Sequence, residues 1–249
     1  MIDPAEIAEN ANTYTPLGPG QERFERGRYV LWLGTSPSQH GTVVQRLRLR
    51  ADEVEEVRAE VHALLRGRGR SVCTWEVGSH ATPADLTERL LALGLVDDEP
   101  DSHAIGMVLT DGAGIEAPRG VEVRAAVTPE ERLAAERIAC LVFCEPEPTE
   151  PPPPRGPDNP VYLAYVDGEP VARASASFGP YAVSLFGGAT LPHARGRGAY
   201  RALVAARWAD AVARGTPVLV TQAGAMSRPI LARVGFREVC EIRILVDRF

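Results

Sequence analysis

Lysine is absent from this sequence: all 27 of its lysine-or-arginine positions are arginine. An arginine-only set of cations reads as a consequence of genome base composition and carries no mechanism. Set against 33 acids, it leaves a formal charge of −6. That mild negative charge argues against nucleic acid or an anionic membrane surface as partner. It is compatible with cationic substrates such as amines. Cysteine is scarce as well. Cys73, Cys140, Cys144 and Cys240 are too scattered for a disulfide framework. Cys140 and Cys144 stand four apart on a predicted helix and share a face. They are half of a metal site or two small apolar residues of a core. The second reading is favoured, because no His or Cys pair completes a ligand set, and no metal is expected. No apolar run approaches the ~20 residues of a membrane span. The N-terminus has no charged segment followed by an apolar one. A cytoplasmic protein is expected, with neither a nucleic acid nor a membrane as partner.

What is present is ample apolar material. The chain has 249 residues, 45 % of them hydrophobic, which allows one large domain or two modest ones. Residues 1–20 are polar with several Pro and Gly, and are expected as a flexible leader. Residues 29–33 and 42–49 read as strands. Over 52–66, Val54, Val57, Val61, Leu64 and Leu65 recur at helical spacing, with acids at the start and Arg66 at the end. A strand over 71–77 follows. Thr82 and Pro83 are expected as N-cap and first residue of a helix reaching Leu93 and stopped by Gly94. His103–Leu109 is a strand. The Gly- and Pro-rich stretch 111–120 is expected as a linker, dividing an N-terminal α/β domain (21–110) from a C-terminal one (121–249).

In the second domain 121–126 is a strand. Thr128-Pro129-Glu130-Glu131 is a capping box opening a helix. The proline-rich stretch 145–160 excludes helix or central strand, since proline lacks the donor and fixes φ. It is either a functional loop or a disordered insert. Asp167-Gly168 joins two strands as a hairpin. A strand over 182–190, a helix from Ala199 closed by Gly215, a strand over 217–221, a short helix Arg228–Val234 and a last strand complete the order β α β β β α β α β. A mixed α/β fold with a mixed sheet is predicted.

The stretch 190–202 carries the chemistry. A strand runs through Gly188, Ala189 and Thr190 into a helix N-terminus by way of Arg195-Gly196-Arg197-Gly198. Glycine permits close approach and φ > 0. The first N–H groups of the helix, on Ala199, Tyr200 and Arg201, lack partners, and the helix dipole adds positive potential. Arginines flank the turn. This is a cradle for a phosphate or diphosphate. Arg-Gly-Arg-Gly also occupies 66–69, but there it follows a helix and reads as a stop.

This segment resembles the signature of the GNAT superfamily of N-acetyltransferases, (Arg/Gln)-x-x-Gly-x-(Gly/Ala). Arg195 and Gly198 match its first and fourth positions, and Tyr200 stands where Gly or Ala is usual. Pro192 before it and Arg201-Ala-Leu203 after it also fit. A second motif lies downstream. Ser227, Ile230 and Gly235-Phe236 fit it, while Gly224 replaces an Asn. Leu231 replaces a Tyr that often acts as general acid. The resemblance covers about 119–249, and the order of 52–109 echoes the back half of the same fold, so a tandem arrangement is a further expectation.

The resemblance implies acetyl-CoA as co-substrate, held by Gly188, Ala189, Thr190, Arg195, Gly196, Arg197, Gly198, Ala199, Tyr200 and Arg201. It implies an amine of a small molecule or peptide as acceptor, attacking directly between splayed strands 188–190 and 218–221. The catalytic base is not named by the sequence: Glu145, Glu147 and Asp158 in the proline-rich loop are candidates, and His193 is another. An acyl-CoA-binding sensor without turnover, or a domain retaining the fold only, are the alternatives. The oligomeric state is left open, a homodimer included.

Overall fold

The computed structural model describes residues 2–113, 115–144 and 146–249. They form two compact units. The first holds Met1–Met107, Gln222–Pro229 and Glu238–Phe249; the second holds Val108–Thr221 and Ile230–Arg237. The last strand of the chain thus belongs to the first unit, although the sequence reading assigns all of 121–249 to one domain. Its pairing partner explains this: β12 (Arg237–Arg248) runs antiparallel to β4 (Val72–Gly78), with seven residue pairs from Ile242↔Gly78 to Arg248↔Val72.

In the first unit, β1 (Glu22–Glu25), β2 (Val30–Leu33) and β3 (Thr42–Gln45) form an antiparallel meander. The helix α3 (Val54–Arg66) carries the chain from β3 to β4, which lies parallel to β3. Residues 2–20 are not a loose leader. They hold α1 (Pro4–Glu9) and α2 (Ala11–Tyr14), with Ile7, Ala8 and Ala11 buried. Helices of six and four residues are too short to show a period, so only the local start is legible. There Asp3 Oδ1 accepts from Ala5 N at 2.9 Å.

Thr82 does not cap a helix. Its hydroxyl donates to Leu49 O at 3.0 Å, and α4 (Leu86–Ala92) starts after Asp85. The strand expected over 42–49 stops at Gln45, because Arg46 takes φ +53. The core of this unit gathers Leu31, Val57, Leu65, Leu90 and Leu245 around the fully buried Trp75.

The second unit repeats the plan. β7 (Val121–Ala125), β8 (Val161–Val166), β9 (Glu169–Phe178) and β10 (Val183–Thr190) form an antiparallel meander. Then α6 (Ala199–Ala213) leads to β11 (Leu219–Ala223), parallel to β10. The hairpin at Asp167-Gly168 has φ +55 and +85, the two positive angles a tight primed turn needs.

The helix α5 (Pro129–Phe143) begins in the expected capping box. Glu131 N donates to Thr128 Oγ1 (3.2 Å), and Thr128 N donates to Glu131 Oε2 (3.1 Å). Its Ala135 and Ile138 pack on Leu163 and Tyr165 of β8. From the next position of β8, Tyr162 bonds Asp210 of α6 at 2.5 Å. Alternate residues of a strand face opposite ways, so α5 and α6 cover opposite faces. Cys140 is buried on α5, but Cys144 lies past the helix end, exposed, with φ +57. The expected pair therefore does not share a helix face.

Candidate functional site

The connection from β10 to α6 is shaped by two glycines in a bulge. Phe186 pairs with Ser175 and Ala189 with Arg173, so Gly187 and Gly188 together oppose Ala174. Gly187 takes φ +54, and its carbonyl accepts from Arg173 Nη1 at 2.8 Å. A Cβ on Gly187 would stand 2.4 Å from that Nη1; a Cβ on Gly188 would stand 2.6 Å from the Tyr200 ring. Glycine at both positions makes room for one large side chain each, Arg173 from β9 and Tyr200 from α6. On its other edge β10 pairs with β11 only at Val183↔Leu219 and Ser184↔Val220. Thr221 Oγ1 then donates to Leu185 O at 3.2 Å. Beyond that bond no pair among the described residues joins the two strands, so residues 188–190 of β10 have no strand paired on that edge among them.

The turn itself follows. Pro192–Ala194 is a single tight helical turn, and Gly196 and Gly198 take φ +78 and +88. Space beside Gly196 is open, whereas a Cβ on Gly198 would meet Pro118 Cγ at 2.8 Å. Ala202 N donates to Gly198 O at 3.0 Å. The N–H groups of Ala199, Tyr200 and Arg201 precede it and have no backbone partner among the described residues. Arg195, Arg197 and Arg201 are exposed. Arg195 Nε reaches Thr190 O at 3.4 Å, and Arg197 Nη2 pairs with Asp167 at 2.7 Å. No acid lies in the first turn of α6.

The Tyr200 ring turns toward Gly188 and away from the Gly-rich turn. Burial pushes its hydroxyl above the usual range, against the pull of Arg207. The turn thus remains open: it offers glycine backbone, three N–H groups without a backbone partner among the described residues, and exposed guanidiniums, donors of the kind an anion can accept from.

The rest of the expected machinery is thinner. Leu231 is 1 % exposed and offers no proton. Gly235 takes φ +106, and Phe236 is buried behind it. Among the candidate bases, Glu145 lies outside the described residues. Glu147 is exposed in a pair with Arg137 (3.2 Å), and Asp158 in one with Arg214 (3.5 Å). His193 is exposed.

The sequence reading does not single out a cavity of about 310 Å³ between α5, β9 and the proline-rich loop. It is lined by Arg132, Arg155, Arg173, Arg214 and one carboxylate, Glu136. The loop is a built wall. Arg132 Nε donates to Pro152 O (2.8 Å), Arg214 Nη2 to Pro157 O (3.0 Å), and Phe178 N to Asp158 O (2.8 Å).

Another cluster lies in the first unit. Glu6, Glu9 and His80 each place one ligand atom within 4.8 Å of the others. Protein donors already engage both carboxylates: Tyr14 and Arg48 on Glu6, and His80 on Glu9.

No protein-family profile matches the chain, and no curated protein matches its sequence. Solved structures do match. A GCN5-related N-acetyltransferase from Kribbella flavida superposes with TM-score 0.74 over 99 % of this chain and 96 % of that one, at 19 % identity. A second, from Sphaerobacter thermophilus, gives 0.60 over 89 % and 80 %, at 14 % identity. A tandem GNAT protein from the clavulanic acid biosynthesis pathway gives 0.59 over 98 % and 87 %, at 14 % identity. At these identities the likeness is one of fold.

Proposed function

We propose, from the GNAT fold that this chain carries in tandem, that its second unit is an N-acetyltransferase taking the acetyl group of acetyl-CoA to an amine. The observation that carries the reading is the open turn 195–201 beside a bulged, splayed strand. In it, the N–H groups of Ala199, Tyr200 and Arg201, with Arg195 and Arg197, hold the CoA diphosphate. Gly188, Ala189 and Thr190 offer the strand edge along which the pantetheine arm lies. Acetyl-CoA supplies the activated acyl group.

The chain's task is then to present an amine with its lone pair free. An alkylamine with a pKa near ~10.4 is mostly protonated at neutral pH, so a carboxylate or a desolvating pocket must take up the proton. Glu136 is the carboxylate that the cavity on the α5 face offers. The same cavity reaches the bulge through Arg173, whose Nη1 holds Gly187 O. With Leu231 in place of a tyrosine, the departing thiolate is protonated by water.

The test is CoA thiol release from acetyl-CoA over a broad panel of amines. Release that depends on one class of amine is the expected result. Binding of acetyl-CoA with no release by any amine would make the protein a CoA-binding module instead.

A further inference from the structure

Arg173 is 5 % exposed, at the centre of β9, on the face that α5 covers. A buried cation is costly unless it is paired and hydrogen-bonded. Arg173 is neither. Among the described residues its guanidinium makes one hydrogen bond, to Gly187 O, and no carboxylate lies within ion-pair distance. Its Nε is buried with no partner among the described residues. Burial, with Arg155 and Arg207 nearby, pushes its pKa down to about 10, so it remains a cation at neutral pH.

The guanidinium lines the 310 Å³ cavity. Two other arginines of that lining are spent on loop carbonyls: Arg132 on Pro152 and Arg214 on Pro157. Arg155 makes no hydrogen bond or ion pair among the described residues. Arg155 and Arg173 therefore face the space with unused donors, and one carboxylate, Glu136, faces it with them.

We infer that this cavity binds the carboxylate of an amino-acid-like ligand, with Arg173 and Arg155 as its anion-binding pair and Glu136 toward the ligand's amine. The planar guanidinium fork fits a carboxylate through two donors. The size suits a small molecule near the lower end of ligand pockets. One opposite charge in the same space favours a zwitterion over a multiply charged phosphate. That the bound amine is the acetyl acceptor rests on the acetyltransferase reading; the anion site itself does not.

The experiment is calorimetric titration of the full chain with a panel of free amino acids, each matched to its own amide, and with inorganic phosphate. The same titrations are run on Arg155→Gln and Arg173→Met, with acetyl-CoA titrated in parallel. At least one acid should bind about ten-fold or more tightly than its amide, as hydrogen bonds to a charged group allow. Arg173→Met should abolish that preference and Arg155→Gln should shrink it several-fold. Arg155 is on the exposed loop, so its variant carries the test if the buried substitution does not fold. Equal binding of acid and amide, binding of phosphate in preference to every acid, or no acid binding at all would overturn the inference. Acid binding without any acetyl-CoA binding by the wild type would instead overturn the acetyltransferase reading and leave the anion site standing.

Discussion

The stretches 46–53 and 191–198 hold the same place in their two units. Each leads from the last strand of its unit's antiparallel meander, β3 or β10, into a helix, whose far end returns to a parallel strand. In the second unit the connection is glycine-rich, the helix has no acid in its first turn, and its first N–H groups are open. In the first unit the connection has no glycine, and its donors are consumed. Arg48 N bonds Arg28 O, Leu49 N bonds Thr82 O, and Arg50 N bonds Glu53 Oε2. Glu55 and Glu56 then fill the first turn of α3 with negative charge. That charge suits the helix dipole and repels an anion.

The strands before these turns differ too. β3 pairs with β2 without a shift, while β10 bulges at two glycines. Even the buried charges differ in sign. The first unit buries Glu9, Glu76 and Asp247; the second buries Arg173 and Arg207. One topology thus carries spent turn donors and buried acids in one copy, and open turn donors and buried arginines in the other.

The comparison can be broken most sharply at its glycines. Gly198 combines φ +88 with a Cβ position 2.8 Å from Pro118, so Gly198→Val should strain the turn and abolish measurable acetyl-CoA binding. Gly69, in the other Arg-Gly-Arg-Gly, has φ +67 and nothing within 4 Å. Gly69→Ala should cost about 1 kcal/mol of stability in thermal melts and leave acetyl-CoA affinity unchanged. If both variants lost binding alike, the two turns would not differ as described.

The buried charges give a pH prediction. Burial raises the Asp247 carboxyl, but bonds from Arg58 and His62 outweigh it and hold the pKa below its ordinary 3.8. A depressed carboxyl pKa contributes stability that is complete above 3.8 and is lost as pH falls through the folded value. Acid melts of the wild type should therefore lose stability below that point. Asp247→Asn, less stable at neutral pH, should lose less on acidification. The smallest effect concerns Asp167, 80 % exposed and paired with Arg197. Asp167→Asn frees that arginine and should tighten acetyl-CoA by no more than about five-fold, the range of an exposed pair.

Much of this fold was legible because its signals are local. The capping box at Thr128, the Asp167-Gly168 hairpin and His103–Leu109 all stand where the sequence places them. The backbone of the turn 195–198 was legible for the same reason: a strand, a glycine turn and a helix start are contiguous. What escaped is long-range. The transfer of β12 to the first unit depends on a pairing between residues more than 150 positions apart. Residues 2–20 are tied down where Glu9 and Asn10 find donors far along the chain, on His80 and Arg46. Arg173 had a faint signal: Val171 to Ser177 alternates alanine with Arg173, Ser175 and Ser177. A charge inside an otherwise small and apolar strand marks a polar stripe on one face. Its meaning needed the loop 146–160 and α5 to close over it.

The central claim is that the turn 195–201 holds the CoA diphosphate. The most direct measurement is calorimetric titration of the purified full chain with acetyl-CoA, beside Arg195→Ala/Arg197→Ala. The account predicts saturable binding by the wild type, weakened about ten-fold or more in the double variant, as loss of charge-assisted bonds to a diphosphate requires. Equal affinity in both proteins, or no binding by the wild type, would contradict it.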